Sequence, residues 1–311
     1  MIQYLAHSDI DPKRWDQCIA QSVNRRVYAF SWYLDVVCPG WDALVDGDYD
    51  AVFPLTHHRK GGILYLYQPY FTQQLGLFSK LHLTATLVDQ FIKAIPRKFR
   101  YADIHLNFMN KPDAAEYSCS SRLNHELDLI PAYELLQKNY SQNTRRNIRK
   151  AADQGLYLGR KAETDELITL FKDNFGKKEG QLKSSHYEIL RNLLIRCQKQ
   201  KMGVILGTYT PDDRLSAAAF FLHDHDRIYF LFAASANLAR ENGAMFMLID
   251  HVIRENAEKS LTLDFEGGND PNLGRFYKSF GAKEVPYPFL HLDRLPGIVA
   301  QGVNLIRKIR T

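Results

Sequence analysis

The sequence lacks the features that mark secreted, membrane-spanning and disulfide-stapled proteins. Its 311 residues include four cysteines, none of them in a C-x-x-C pair, and this pattern favours a reducing compartment. The N-terminal residues contain no apolar core of the signal-peptide type. No uncharged apolar run approaches the ~20 residues that a membrane helix needs. We therefore expect a soluble cytoplasmic protein without a transmembrane segment.

A strong charge of either sign is also missing, as are motifs for metals and covalent nucleophiles. The net charge of +5 is too mild to argue for nucleic-acid binding. His57-His58 and His223-x-His225 lie in predicted hairpins without matching ligands, so we interpret them as turn residues and expect no metal. No Ser, Cys or Lys lies in a nucleophile motif such as G-x-S-x-G, which argues against a covalent enzyme intermediate.

What the sequence does contain is the composition of a well-packed protein, with 45% hydrophobic and 12% aromatic residues. Its length allows two domains. The most informative stretch covers residues 215–281. Two apolar runs flank a polar tip at residues 223–227, as in a hairpin, and a helical pattern follows over residues 245–258. A third strand at residues 261–265 and a short helix that stops at Gly281 complete the order strand, strand, loop, helix, strand, helix.

Two short motifs in this stretch resemble those of the GNAT superfamily of N-acyltransferases. Residues 240–244, RENGA, resemble the family's Q/R-x-x-G-x-G/A loop, which binds the donor pyrophosphate, although Met245 occupies the sixth position. Residues 276–282, FYKSFGA, resemble its late F/L-Y-x-x-x-G-F segment. The resemblance implies an α/β fold and transfer of an acyl group to an amine.

The first half of the chain repeats the order of the second half, although residue identity between them is low. The strand at Ala51 corresponds to the strand at Ala217, and the strand at Ile104 corresponds to that at Leu263. We therefore expect an α/β fold of two tandem GNAT-like mixed-sheet units packed into one body. Residues 1–131 form the N-terminal unit, on the acceptor side, and residues 132–311 form the C-terminal unit, on the donor side.

Such a tandem pair resembles the Fem-type branch, which comprises peptidoglycan-bridge aminoacyltransferases and acyl-CoA relatives. Residues 140–151, YSQNTRRNIRKA, resemble the helix that opens the second unit in that branch. Residues 264–268, DFEGG, resemble its acidic-Gly-Gly segment. The coiled-coil insertion of some tRNA-dependent members is absent, so the resemblance favours an acyl-CoA donor, with tRNA possible but less favoured.

Three residues are the candidates for the chemistry. Asp264 and Glu266 lie two apart in a predicted strand, so both would face one side near its carboxyl end, where α/β sheets often place ligands. Either could accept a proton from an attacking amine, or they could instead cap the next helix or pair with Arg275 and Lys278. The resemblance assigns the acid to Tyr277, which could equally be a core tyrosine.

Acetyl-CoA or another acyl-CoA is the expected co-substrate. The resemblance implies that its pyrophosphate lies on a helix N-terminus, where free N–H groups and a positive dipole end favour anions. The residues expected to bind it are Ala233, Ala234, Ser235, Arg240, Gly243 and Ala244.

The acceptor is expected to be a small-molecule or nucleotide-linked amine. Gln73 and Gln74 lie in an uncharged segment that could bind a polar acceptor, or they belong to a packed loop. Arg145 and Arg149 lie on a basic helix that could bind phosphates, or they form a solvated face. A basic amphipathic helix is also predicted over residues 298–310, docked on the body or on an anionic surface.

The sequence therefore predicts an N-acyltransferase that works by direct attack of an amine on an acyl donor, most simply acyl-CoA. Two alternatives stay open. One is Fem-type, aminoacyl-tRNA-dependent transfer to a cell-wall precursor. The other is a degenerate module that binds a ligand without turnover, which the bulky Met245 motivates.

Overall fold

A computed structural model describes residues 1–113, 117–159, 162–175, 182–237 and 239–295, apart from the side chains of Phe175 and Arg240. The helix predicted over residues 298–310 lies outside these residues. None of the described helices is long and apolar enough to cross a membrane.

The described part of the chain contains both strands and helices, with several strands in succession after the helix Ser31–Val37 and after the helix Ser184–Lys199. The strands are β1 (Ile2–Leu5), β2 (Asp42–Asp46), β3 (Ala51–Leu55), β4 (His57–Lys60), β5 (Ile63–Tyr67), β6 (Phe78–Ser79), β7 (Tyr101–His105), β8 (Ser118–Asp128), β9 (Tyr157–Gly159), β10 (Gly203–Tyr209), β11 (Leu215–Asp224), β12 (Arg227–Ser235), β13 (Thr262–Asp264) and β14 (Lys283–Asp293). The helices are α1 (Pro12–Gln21), α2 (Ser31–Val37), α3 (Ala85–Ala94), α4 (Tyr133–Lys138), α5 (Gln142–Asp153), α6 (Thr164–Phe175), α7 (Ser184–Lys199), α8 (Ala239–Asn242), α9 (Ala244–Asn256) and α10 (Pro271–Lys278).

The chain divides into two compact units. The first comprises Met1–Arg122 together with the chain from Pro286 on, and the second comprises Leu123–Val285. This division follows tertiary contacts, whereas the boundary predicted between residues 131 and 132 follows a repeat of pattern, and that boundary stays a prediction. The contacts assign the chain from Pro286 on to the first unit because β14 pairs antiparallel with β7.

In the first unit, β1, β2, β3 and β6 form one antiparallel sheet. Separately, β4 pairs antiparallel with β5, and β5 pairs parallel with β7. The side chains of α3 pack into the core of this unit, where Phe91 stacks on Phe53 of β3 with ring centroids 6.4 Å apart. The parallel pair needs a crossover, which the stretch containing α3 supplies.

The interpretation of His57 and His58 as turn residues is wrong, because both lie in β4. The turn that follows them is made by Gly61 and Gly62, whose φ angles of 54° and 79° favour glycine. By contrast His225 lies in the turn between β11 and β12, with a φ of 50°. His223 belongs to β11, so its interpretation as a turn residue is also wrong.

In the second unit the strands are ordered β8, β13, β12, β11, β10 and β9. All neighbours are antiparallel except β12 and β13, which run parallel and are connected through α9. The apolar face of α9, including Leu248, Ile249 and Ile253, packs into the core that Leu263 and Phe265 share. The predicted order of hairpin, helix, strand and helix is therefore confirmed as β11, β12, α9, β13 and α10.

The two units share this order of elements, since β4, β5, α3 and β7 in the first correspond to β11, β12, α9 and β13 in the second. Each has an antiparallel hairpin whose second strand pairs parallel with the strand beyond a helix. In the first unit the hairpin partner is β4, not the strand at Ala51, because that strand pairs with β2 and β6. The mixed α/β architecture expected from the sequence is confirmed.

Candidate active site

The candidate site begins where the two parallel strands of the second unit separate. The described register of β12 and β13 has three pairs and ends with Tyr229 opposite Asp264. Beyond that pair β12 continues as far as Ser235 and stays paired with β11 on its other side. Within the described part of the chain, no strand pairs with β12 beyond Tyr229 on the side of β13. At this free edge of β12 a ligand can pair with the backbone of Ala233, Ala234 and Ser235.

A β-bulge shapes the same part of β12. Phe220 lies opposite Phe232, but Phe221 lies opposite Phe230, so Leu231 is an extra residue on this strand. A bulge breaks the alternation of side chains between the two faces of a sheet. Phe230 therefore joins the core that includes α9. Phe232 lies on the other face, 4.8 Å between ring centroids from Phe171 of α6.

A cavity of ≈ 670 Å³ surrounds the free edge of β12. Its walls are mainly aromatic and aliphatic. The described residues that line it are Phe171, Phe230, Leu231, Phe232, Ala233, Ala234, Ser235, Ala239, Met245, Phe246, Phe265, Glu266, Leu273, Phe276 and Tyr277. The structure thus brings together five of the predicted site residues, namely Ala233, Ala234, Ser235, Glu266 and Tyr277.

The segment that carries Glu266 is held in an unusual conformation. β13 ends at Asp264, and Glu266 has a φ of 54°, a left-handed conformation rare for a residue with a side chain. The amide of Glu266 donates to Asp264 Oδ1 at 3.0 Å. The amide of Gly267 donates to Asn124 Oδ1 at 3.1 Å, and its carbonyl accepts from His125 Nδ1 at 2.9 Å. These bonds fix the direction in which the Glu266 side chain leaves the backbone.

Asp264 has a different environment from Glu266. Its side chain is completely buried, and its carboxylate accepts from Asn124 Nδ2 at 2.8 Å and from Arg227 Nη1 at 3.2 Å. Arg227 also binds Glu126 at 2.9 Å. Burial alone would lower the pKa of Arg227, but the charges of Asp264 and Glu126 outweigh it and raise that pKa. Asp264 therefore lies outside the cavity lining, in an ion pair with Arg227 rather than with Arg275 or Lys278.

Tyr277 lies in the cavity wall with 6% of its surface exposed. Its ring stacks on Phe265 with centroids 4.7 Å apart and planes inclined by 24°. Burial raises the pKa of the Tyr277 phenol well above its ordinary value, and the charges of Glu266 and Asp270 raise it further. The phenol is therefore protonated at neutral pH and can act as a hydrogen-bond or proton donor.

The predicted phosphate loop is packed more tightly than the sequence indicates. Gly243 precedes α9 with a φ of 76°, and a Cβ at this position would lie 2.2 Å from the carbonyl oxygen of Asn147 in α5. The amide of Ala244 donates to Asn242 Oδ1 at 3.0 Å, and Ala244 is completely buried. The glycine is thus required by the close approach of α5, and neither Gly243 nor Ala244 lines the cavity.

The N-terminus of α9 nevertheless contributes to the cavity. Met245 and Phe246, the second and third residues of this helix, line it together with Ala239 of α8. The positive end of the helix dipole therefore lies at the cavity wall. Arg240 lies in α8, and its side chain is outside the described part of the structure.

The four predicted substrate-binding residues are not among these lining residues. In the first unit Gln74 is buried, donates to Gln73 Oε1 at 2.8 Å and accepts from the amide of Phe108 at 2.9 Å. Such contacts are those of a packed loop. In α5, Arg145 donates to the carbonyl of Lys138 at 2.8 Å and so closes the end of α4, whereas Arg149 is exposed.

Sequence reasoning missed two parts of the site. One part is the hydrogen-bond network around the Glu266 segment, which consists of Asn124, His125 and Arg227. These residues lie far apart in sequence, and only the pairing of β8, β13 and β12 brings them together. The other part is Phe171, which was not predicted because α6 precedes residues 215–281, the stretch that contains the motifs. Among the residues that the structure describes, no group of three or more His, Cys, Asp or Glu side chains could hold a metal ion.

Comparison with known proteins agrees with this geometry. Residues 138–279 match the family described as the acetyltransferase (GNAT) domain. The structure of FemX has a TM-score of 0.65 and 12% identity, over 93% of this chain and 97% of that chain. L-PGS from Bacillus licheniformis has a TM-score of 0.56 and 10% identity, over 96% of each chain. No curated protein matches the chain significantly.

A third structure is the C-terminal domain of a putative lysylphosphatidylglycerol synthetase from Agrobacterium fabrum. It has a TM-score of 0.52 and 11% identity, over 85% of this chain and 87% of that chain. At these identities the likeness concerns the fold. Residues 138–279 thus match the model of the acetyltransferase (GNAT) domain, in a chain that shares the fold of FemX and L-PGS over nearly its whole length. The resemblance inferred from the sequence is confirmed.

Proposed function

We propose that this protein is an N-acyltransferase that moves an acyl group from a thioester donor, acyl-CoA, to an amine. The observation that carries the proposal is the meeting of Glu266, Tyr277 and the free edge of β12 around one cavity. A carboxylate, a protonated phenol and backbone amides on a strand edge are the parts that direct aminolysis of a thioester needs.

The proposed reaction forms one C–N bond and breaks one C–S bond. Glu266 accepts a proton from the acceptor ammonium, and the free amine attacks the thioester carbonyl. Backbone amides on the edge of β12 stabilise the oxyanion. Tyr277 donates its proton to the leaving sulfur, because a thiolate in an apolar cavity is poorly solvated and takes up a proton readily. Solvent takes the second proton from the nitrogen of the intermediate, returns a proton to Tyr277 and removes one from Glu266.

The donor is proposed to bind along the second unit. The pantetheine amides would pair with β12 near Ala233, Ala234 and Ser235, whose backbone extends along the cavity. The pyrophosphate would lie against the N-terminus of α9, which favours anions. Arg240 stays a candidate for the phosphates, whereas the burial of Gly243 and Ala244 suits a role in shaping the turn.

The remaining predicted residues have supporting roles in this proposal. Asp264 positions the Glu266 segment and does not itself transfer a proton. Exposed Arg149 stays a candidate for phosphates of a nucleotide-linked acceptor, while Arg145, Gln73 and Gln74 maintain the structure around them. The first unit is proposed to serve the acceptor.

The experiment combines acyl-CoA titration with a thiol-release assay over a panel of amines. We expect Tyr277→Phe and Glu266→Gln to bind acyl-CoA as the wild type does and to lose about 10²–10⁴-fold in turnover, the usual contribution of acid–base groups. Tyr140→Phe is the matched control, because Tyr140 is also buried and packs on Phe280 at 5.4 Å but does not line the cavity. Full turnover in Tyr277→Phe would contradict the assigned acid.

Two alternative functions are each supported by a separate observation. Met245 lines the cavity, so a module that binds without turnover would show acyl-CoA binding and no thiol release with any amine. Exposed Arg146, Arg149 and Lys150 on α5 would suit a tRNA, and a salt-sensitive gel shift with charged tRNA, without acyl-CoA binding, would favour that donor.

A further inference from the structure

The walls of the candidate active site are unusually poor in polar groups. Among the described lining residues Glu266 is the one charged side chain, and Ser235 and Tyr277 are the polar ones. Seven of these residues are aromatic, and Leu231, Met245 and Leu273 add aliphatic surface. Covering apolar surface of this kind with hydrocarbon, and so removing it from water, lowers the free energy.

The aromatic walls occupy both faces of the sheet. Phe246 and Phe276 lie 4.9 Å apart between ring centroids on the side of α9. Phe232 and Phe171 face each other on the side of α6. The bulge at Leu231 produces this arrangement, so the cavity passes the free edge of β12 and continues as apolar surface on either side.

The size of the cavity exceeds the need of a two-carbon acyl group. Its ≈ 670 Å³ falls in the range of about 300–1,000 Å³ that is typical of pockets for drug-sized ligands. A pantetheine arm would occupy part of it and would satisfy its two amides on the strand edge. Hydrocarbon walls would remain uncovered if the acyl group were acetyl.

We propose that the transferred acyl group is an apolar chain of medium length or an aromatic acyl group, rather than acetyl or a cationic aminoacyl group. This inference rests on the proposed function. A cationic acyl group would require a carboxylate of its own, and the described wall offers only Glu266, which already serves the acceptor amine. An apolar chain would instead cover the phenyl rings on either side of β12.

The test measures binding and thiol release for CoA, acetyl-CoA, butyryl-CoA, hexanoyl-CoA and octanoyl-CoA. Affinity is expected to rise about two- to fourfold with each added methylene until the walls are covered. A matched pair of ligands separates chain length from charge, because 6-aminohexanoyl-CoA has the length of hexanoyl-CoA and ends in an ammonium. The charged member is expected to bind at least tenfold more weakly.

The second part of the test uses a variant that introduces a charge into the wall of the cavity. Leu273 lines the cavity with 47% of its surface exposed, and it is the third residue of α10. Leu135 is 52% exposed and is the third residue of α4, away from the cavity lining. An Asp in the first turn suits either helix dipole, so Leu273→Asp and Leu135→Asp are matched in fold and charge. Leu273→Asp should abolish the gain with chain length, and Leu135→Asp should retain it.

Two results would overturn the inference. Equal binding of CoA, acetyl-CoA and octanoyl-CoA, or tighter binding of 6-aminohexanoyl-CoA than of hexanoyl-CoA, would refute an apolar acyl site and leave acyl transfer itself intact. If neither CoA nor any thioester bound, the proposed function would fail, and the inference would fail with it.

Discussion

Replacement of Arg227 by Met should destabilise the second unit strongly, because it leaves two carboxylates without their cation. The Arg227 side chain is 11% exposed, and its partners Glu126 and Asp264 are 15% and 0% exposed. Breaking a buried ion pair by removing one partner costs about 3–5 kcal/mol. For a domain of 150–250 residues, in which 1 kcal/mol shifts the melting temperature by about 2–4 °C, this corresponds to a fall of about 6–20 °C.

The matched control is Arg254→Met. Arg254 also binds an aspartate, Asp250, at 3.4 Å, but its side chain is 56% exposed. Surface pairs contribute about 0–1 kcal/mol, so this variant should melt within a few degrees of the wild type. Thermal unfolding followed by circular dichroism provides the measurement. The double variant Arg227→Met/Asp264→Asn should recover part of the loss, because it removes one of the stranded charges.

The result that would refute this reasoning is a loss in Arg227→Met no larger than in Arg254→Met. A double variant less stable than the sum of its single variants would also count against it. The same variants should report on the site, since Asp264 Oδ1 accepts the amide of Glu266. If the network positions Glu266, turnover should fall in variants that still bind acyl-CoA at a temperature where they are folded.

Two further predictions concern stability. Gly243→Ala should cost about 2–4 kcal/mol, read from thermal melting, because its Cβ would clash with the Asn147 carbonyl at a φ that disfavours side chains; an unchanged melting temperature would show that α5 can move away. Burial lowers the pKa of His105 to about 4 from 6.5, so the unfolded chain binds the extra proton first as pH falls. The resulting stabilisation of the folded state, up to about 3 kcal/mol, should be fully present above pH 6.5 and should be lost progressively as the pH falls to 4. Denaturant midpoints of His105→Gln should depend less on pH in this window, and an equal pH dependence would contradict the assignment.

The order of elements in the second unit could be predicted because its signals are local. Alternating apolar runs, a polar hairpin tip and a helical period each depend on neighbours in sequence. The GNAT-like loop at residues 240–244 and the segment that contains Tyr277 are two short motifs that lie at the expected positions in this order. The hairpin, α9, β13 and α10 all follow from such patterns.

The roles of Asp264 and Glu266 could not be predicted in the same way. Alternation in a strand predicts one shared face, but β13 ends at Asp264 and the left-handed φ of Glu266 turns its side chain elsewhere. The cation that binds Asp264 is Arg227, at the start of another strand, and only the register of β12 and β13 brings them together. In β4 likewise, His57 and His58 became strand residues because pairing with β5 outweighed their weak local preference.

The bulge on β12 determines which face of the sheet each phenylalanine of the cavity wall occupies. Phe230 and Phe232 are separated by a single position and yet face opposite ways, because Leu231 is supernumerary. Substitutions at either phenylalanine can change one wall while the other is preserved, so the two halves of the cavity can diverge separately among relatives. A residue inserted between Phe220 and Phe221 of β11 would instead pair with Leu231, restore regular alternation and place Phe230 and Phe232 on one face. Among homologues, point changes in the walls should therefore be common, and single-residue insertions between Phe220 and Phe221 should be rare.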